Sequence, residues 1–118
     1  MKVLVIGASE KVERYSNQAV RLLVDHGHEV VAIGTKDGEA HGVEIECGTP
    51  DHSNIDTVTL YIGARHQKQY YSYISELAPN RVIFNPGAEN QEFKDDLSQL
   101  GIETENACTI VLLRLGLF

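Results

Sequence analysis

The sequence lacks any apolar run that approaches the roughly 20 residues of a membrane-spanning helix. Its first apolar run, Val3–Ile6, is too short for the hydrophobic core of a signal peptide, and charged residues follow soon after it. We therefore expect a cytoplasmic protein that does not associate with membranes.

Basic residues are scarce as well. The 118 residues include 10 Lys and Arg against 17 Asp and Glu, which gives a net charge of −7. Sequence-independent nucleic-acid binding needs a cationic surface, so this composition argues against it. An anionic small molecule is compatible with the charge, because backbone amides and a few local cations can hold one.

Cysteine is nearly absent too. Cys47 and Cys108 are the only 2 cysteines; they lie far apart and neither belongs to a CxxC pair. This spacing predicts two reduced thiols rather than a disulfide framework.

Sequence signatures of catalysis are missing. The chain has neither a G-x-x-x-x-G-K-[ST] phosphate loop nor a G-x-S-x-G nucleophile turn, and its histidines form no HExxH pattern. Cys47 and His52 are metal ligands by type, but two such residues in one loop do not predict a metal site. We expect no metal and no catalytic activity.

Short apolar runs alternate with amphipathic ones along the chain. Strands are predicted at Lys2–Ile6, His28–Ile33, Asp56–Ile62, Arg81–Phe84 and Ile102–Thr104, with a small edge strand at Val43–Ile45. Helices are predicted at about 15–26, 66–77, 90–100 and 108–115, with Ser16 or Asn17 as the cap of the first. This alternation predicts an α/β fold: a compact, doubly wound, mostly parallel sheet of about five strands with helices on both faces. We expect a single domain over residues 1–118.

The first predicted strand runs into Gly7-Ala8-Ser9, and a helix follows. A turn of small residues before a helix presents backbone N–H groups and the positive end of the helix dipole to an anion. In open parallel sheets ligands bind outside the carboxyl ends of the strands. Three strand ends also carry a cation, namely Lys11, Lys36 and Arg65. A phosphate-bearing polyanion is the predicted ligand.

The dinucleotide fingerprint narrows the choice of nucleotide. It requires G-x-G-x-x-G after the first strand, and only Gly7 of the three glycines is present. It also requires an acid after the second strand, where this chain has Gly34-Thr35-Lys36. A cation at that place suits a phosphorylated ribose, so NADP or a similar nucleotide is favoured over NAD.

Five segments, in an order that spans nearly the whole chain, carry a family resemblance. They are Val5-Ile-Gly-Ala-Ser-Glu-Lys11, Arg14-Tyr-Ser-Asn17, Gly27-His-Glu-Val30, Asn85-Pro-Gly-Ala-Glu-Asn90 and Ala107-Cys-Thr-Ile-Val111. Together they resemble the small single-domain CoA-binding proteins, relatives of the CoA-binding domain in the succinyl-CoA synthetase α-subunit. The resemblance implies a Rossmann-like domain that binds coenzyme A or an acyl-CoA at the strand ends.

The resemblance also implies a role for each strand-end segment. Gly7, Ala8 and Ser9 would hold phosphate with help from Lys11, and Arg14 is a further nearby cation. Gly34, Thr35 and Lys36 would meet the adenosine end, where Lys36 suits the 3′-phosphate. Tyr61, Ile62 and Gly63 would flank the adenine or the pantetheine arm, and Asn85, Pro86 and Gly87 would line the far side.

The chain departs from the family at two strand ends and in its size. Gly34-Thr35 stands where the family usually has Asn-Pro, and Gly63-Ala64 lacks a proline often found there. The synthetase also needs a second domain with a phosphorylated histidine, so we expect a binding module without ligase chemistry. Two alternatives stay open: an NADP-linked oxidoreductase or redox sensor, and a protein-interaction subunit with a decayed nucleotide site. A homo-oligomer or a protein partner could use the apolar segment 112–118.

Overall fold

A computed structural model describes all residues, 1–118, as one seven-stranded sheet with helices on both faces. The strands are β1 (Lys2–Ile6), β2 (Glu29–Ile33), β3 (Gly38–Ala40), β4 (Val43–Glu46), β5 (Thr57–Leu60), β6 (Arg81–Phe84) and β7 (Glu103–Asn106). The helices are α1 (Tyr15–Asp25), α2 (Ala64–Gln67), α3 (Tyr71–Leu77), α4 (Gln91–Gln99) and α5 (Thr109–Arg114), with a 3-10 turn at Lys68–Tyr70 between α2 and α3. The doubly wound α/β fold predicted from the sequence is confirmed.

The sheet order is β3-β4-β2-β1-β5-β6-β7, and every neighbouring pair is parallel except β3 with β4. The chain leaves the central strand β1 first towards β2 on one side and later towards β5 on the other. Strand order therefore reverses beside β1, and this reversal opens a crevice at the carboxyl ends of the strands.

The central strands are apolar on both sides because helices cover both faces of the sheet. Successive side chains of a strand point to opposite faces. In β1, Leu4 and Ile6 join the core beneath α3 and α4, whereas Val3 and Val5 join the core beneath α1 and α5. All four are fully buried, so β1 is a rigid base for the loop that follows it.

The sheet has seven strands, so the expectation of about five was too low. The predicted edge strand is β4, but β3 was not predicted, because Gly38-Glu39-Ala40 has little strand propensity. It forms as the outer half of a hairpin, held by antiparallel pairing with β4. The last strand, Glu103–Asn106, begins one residue later and ends two residues later than predicted, and its polar side chains suit an edge.

Two predictions about helices were wrong. The helix expected at 66–77 is divided into α2, the 3-10 turn and α3. Neither Ser16 nor Asn17 caps α1: both are buried inside its first turn, and the cap position is Arg14, whose side chain makes no capping bond. The first amides of α1 therefore have no side-chain partner.

None of the helices has the length and apolar character needed to cross a bilayer.

Candidate functional site

A cleft of about 540 Å³ lies at the carboxyl ends of β1, β2, β5 and β6, where strand order reverses. It is lined by Gly7, Ala8, Ser9, Glu10, Lys11, Arg14, Tyr15, Ser16, Thr35, Lys36, Ile45, Tyr61, Ile62, Pro86, Gly87 and Ala88. All but three of the residues predicted as site residues are therefore brought together in one place.

The three exceptions are Gly34, Gly63 and Asn85, which do not line the cleft. Gly34 acts by its small size, since a Cβ there would lie 2.5 Å from the carbonyl oxygen of Ala8. It lets the end of β2 approach the loop after β1. Gly63 has open space around it and precedes α2, so nothing in its surroundings demands a glycine.

The Asn85 side chain points into the protein rather than into the cleft. Its Nδ2 donates to Thr59 Oγ1 at 2.6 Å and to the Leu60 carbonyl at 2.9 Å, and its Oδ1 accepts from the Thr109 N–H at 2.9 Å. These bonds join β5, β6 and the start of α5. Asn85 thus holds in place the strand end from which Pro86 and Gly87 enter the cleft.

At Gly7 the loop after β1 passes close to the end of β5. The φ of Gly7 is +98°, and an added Cβ would lie 3.0 Å from the carbonyl carbon and oxygen of Tyr61 and 2.9 Å from Ile62 Cγ2. A left-handed backbone and a close approach to the next strand both require glycine. This contact sets the distance between the two central loops of the site.

The backbone amides that could meet an anion lie further along than the resemblance implied. The N–H groups of Gly7 and Ala8 both donate to the Ile33 carbonyl at 2.9 Å, and the Lys11 N–H donates to Ser9 Oγ at 3.1 Å. The N–H groups of Ser9 and Glu10 have no acceptor within the protein. These two donors, with the uncapped first turn of α1, are the ones that can face a phosphate.

The cleft collects three cations although the chain is acidic. Lys11, Arg14 and Lys36 line it, and none of them belongs to an ion pair. The first turn of α1 contains no acidic residue. Unpaired cations beside free amides make this part of the surface favourable for a polyanion. Arg65, the third cation predicted at the strand ends, does not line the cleft.

A comparison with protein families shows which family this chain belongs to. A family model described as CoA binding domain matches residues 1–114. The chain belongs to this family. The resemblance seen in the sequence is confirmed, and a CoA-related small molecule is the class of ligand that the family implies. No curated protein matches the chain.

Solved structures agree on the fold of this CoA binding domain. One crystal structure, described only as that of an uncharacterized protein, is 45% identical with a TM-score of 0.96, covering 99% of this chain and 97% of that one. A hypothetical protein from Pyrococcus horikoshii OT3 is 24% identical with a TM-score of 0.86, covering 96% and 82%. The dinucleotide forming acetyl-coenzyme A synthetase 1 of Ca. Korarchaeum cryptofilum, solved with phosphate and ADP, is 15% identical with a TM-score of 0.72, covering 90% of this chain and 25% of that one. At these identities the last two show the fold alone.

Ser16 is a cleft residue of this CoA binding domain that was predicted only as a helix cap. It is 4% exposed, it lines the cleft, and its hydroxyl has no hydrogen-bond partner within the protein. Its place in the first turn of α1, after a small-residue loop, is the signal that could have marked it as a binding residue. Glu10, Tyr15, Ile45 and Ala88 line the cleft as well and were not among the predicted site residues.

Tyr61 lines the cleft, but its hydroxyl is buried inside the protein beside Thr59 and Thr109, without a well-formed hydrogen bond. Burial raises the pKa of this phenol far above its ordinary value, so the group stays neutral at physiological pH. Tyr61 can therefore offer its aromatic ring to a ligand, and it carries no negative charge that would repel a phosphate.

The two cysteines are free thiols and neither lines the cleft. Cys47 is exposed, and a hydrogen bond to Asp37 raises the pKa of its thiol. A raised pKa keeps this thiol protonated and lowers its reactivity.

Proposed function

We propose that this domain binds coenzyme A or an acyl-CoA in the cleft and that it has no catalytic activity of its own. The observation that carries the proposal is the coincidence, in one crevice, of unbonded amides, an uncapped helix N-terminus and three unpaired cations. The pyrophosphate would accept hydrogen bonds from the Ser9 and Glu10 amides and from the first turn of α1. Lys11 and Arg14 would add charge.

The two ends of the ligand are assigned by the chemistry of the cleft. Lys36 follows β2, on one side of the pyrophosphate position, and would bind the 3′-phosphate of the adenosine. Ile62, Pro86 and Ala88 on the other side give an apolar wall that suits the pantetheine arm.

The side chains of the cleft support a binding role rather than a catalytic one. No histidine or cysteine lines it, and the Ser9 hydroxyl already accepts the Lys11 N–H. An activated nucleophile needs a neighbouring base, and neither cleft serine hydroxyl is hydrogen-bonded to one: the Glu10 carboxylate, which also lines the cleft, accepts from the Glu39 N–H instead.

Calorimetric titration with CoA, acetyl-CoA, dephospho-CoA and NADP tests the proposal. We expect heat of binding and a raised melting temperature with the CoA species, and displacement of NADP by CoA in competition. Binding of NADP alone would instead favour a redox function. No response to any of the four would contradict a nucleotide site and favour a protein-interaction subunit.

Replacing Lys36 with Ala should weaken CoA about fivefold and leave dephospho-CoA within about twofold, because only CoA has the 3′-phosphate; an exposed cation loses part of its effect to solvent screening. Titration of both ligands against both proteins gives the interaction free energy between Lys36 and the 3′-phosphate. Lys68→Ala, which removes an exposed lysine outside the cleft, is the control for net charge. An equal loss for both ligands would move the 3′-phosphate away from Lys36.

Ser16→Ala should weaken CoA about fivefold to tenfold, the size expected for one hydrogen bond to a charged group. The melting temperature should change little, because the hydroxyl has no partner in the ligand-free protein. Ser72→Ala, at an exposed position of α3, controls for the loss of a helical hydroxyl. Unchanged affinity in Ser16→Ala would remove Ser16 from the ligand contacts.

A further inference from the structure

The β3–β4 hairpin contacts the phosphate loop, defined here as residues 7–11, and the first turn of α1. The Glu39 N–H of β3 donates to Glu10 Oε2 at 3.1 Å, and the close contact at Gly38 permits this, since a Cβ there would lie 2.5 Å from Glu10 Cδ. At the hairpin turn, His41 Nε2 lies 2.7 Å from Asn17 Oδ1. The element that the sequence did not predict is therefore attached to the loop of the site.

Asn17 connects the hairpin to the loop backbone. It is 3% exposed, and its Nδ2 donates to the Ser9 carbonyl at 2.9 Å. A peptide unit is planar and trans, so the carbonyl of Ser9 and the N–H of Glu10 point in opposite directions. By holding the Ser9 carbonyl against buried Asn17, this bond turns the unbonded Glu10 N–H away from the Asn17 side chain.

His41 fixes which way the Asn17 amide is turned. A carbonyl oxygen only accepts, so the Asn17 atom that faces Ser9 must be the nitrogen. The Asn17 oxygen then faces His41, and His41 Nε2 must carry a proton and donate to it. Without this donor nothing else in the protein bonds to Asn17 Oδ1, and the amide is free to rotate away from Ser9.

We propose that Asn17 and His41 are positioning residues that orient the Ser9–Glu10 peptide for an anionic ligand. The proposal rests on the proposed function for the identity of the ligand, but the orientation itself is a property of the ligand-free protein. The backbone of His41 is left-handed, with φ at 52°, a conformation in which histidine is enriched among non-glycine residues and which the hairpin turn keeps. The site thus depends on a side chain at the far edge of the sheet that does not line the cleft.

The test compares His41→Ala, His41→Gln, Asn17→Asp and the wild type. We expect His41→Ala and Asn17→Asp to weaken CoA about tenfold, the effect of losing one oriented hydrogen bond. Asn17→Asp keeps the acceptor for His41 and removes the donor to Ser9. His41→Gln keeps a side-chain N–H and should restore most of the affinity. Glu44→Gln, at an exposed position of β4 in the same hairpin, should bind as the wild type does.

A second measurement separates positioning from simple destabilisation and from failure of the proposed function. In ligand-free protein, amide NMR signals of Ser9 and Glu10 should move in His41→Ala and Asn17→Asp, while those of Gly87 and Ala88 across the cleft stay in place. If these signals do not move, or if His41→Gln is as weak as His41→Ala, the proposal is overturned. Moved signals in a protein that binds no CoA would support the positioning role and refute the ligand assignment instead.

Discussion

Gly7→Ala should lower the free energy of unfolding by about 3 kcal/mol, because it combines a left-handed backbone with a clash against the Tyr61 backbone. For a chain of this size the melting temperature should fall by about 10 °C. We also expect CoA binding to weaken by at least about tenfold, since the loops after β1 and β5 must move apart at the proposed pyrophosphate position. Thermal unfolding and calorimetric titration measure the two effects separately.

Substitutions at two other glycines separate the cost of backbone strain from the cost of the steric clash. Gly101 has φ of +79° and open space around it, so Gly101→Ala tests backbone strain alone and should cost about 1 kcal/mol. Gly34 has no such φ, but its Cβ would lie 2.5 Å from the Ala8 carbonyl oxygen, so Gly34→Ala tests the clash alone. If Gly7→Ala is no worse than Gly101→Ala, the close approach of the two loops is not a constraint on the site.

The central strands and the end of β1 could be predicted from the sequence. Strands of a parallel sheet are buried on both faces, so they appear in the sequence as short continuous apolar runs. Gly7 marks the end of β1, because the turn that follows this strand needs a left-handed backbone that glycine adopts readily. The cleft followed from topology, because consecutive strand ends of a doubly wound sheet converge at one edge.

The missed features depend on contacts between residues far apart in the chain. Gly38-Glu39-Ala40 becomes a strand only through pairing with β4, and His41 acquires its bond to Asn17 across 24 residues. The bonding of the Gly7 and Ala8 amides to Ile33 also depends on how β2 ends beside β1. Local patterns cannot predict such contacts, so the position of the cleft could be predicted from the sequence, while the backbone donors left free in it could not.

Asn85 lies at the end of β6 as predicted, but its side chain makes structural hydrogen bonds instead of lining the cleft. Removing its side chain in Asn85→Ala deletes three hydrogen bonds at a position only 1% exposed and leaves the Thr109 N–H without a partner. We expect a loss of about 3 kcal/mol in the free energy of unfolding, from roughly 1 kcal/mol for each buried bond. Chemical denaturation is the measurement, with Asn106→Ala at the exposed end of β7 as a control that should change stability by less than about 0.5 kcal/mol.

The same variant distinguishes a structural residue from a ligand contact. Because the Asn85 side chain faces away from the cleft, folded Asn85→Ala should bind CoA within about threefold of the wild type when titrated well below its melting transition, since only indirect displacement of Pro86 and Gly87 remains. A variant of nearly normal stability that binds CoA much more weakly would show the opposite, and Asn85 would then belong among the groups that touch the ligand. Loss of stability with nearly unchanged affinity identifies a structural amide, whereas loss of affinity with nearly unchanged stability identifies a ligand contact.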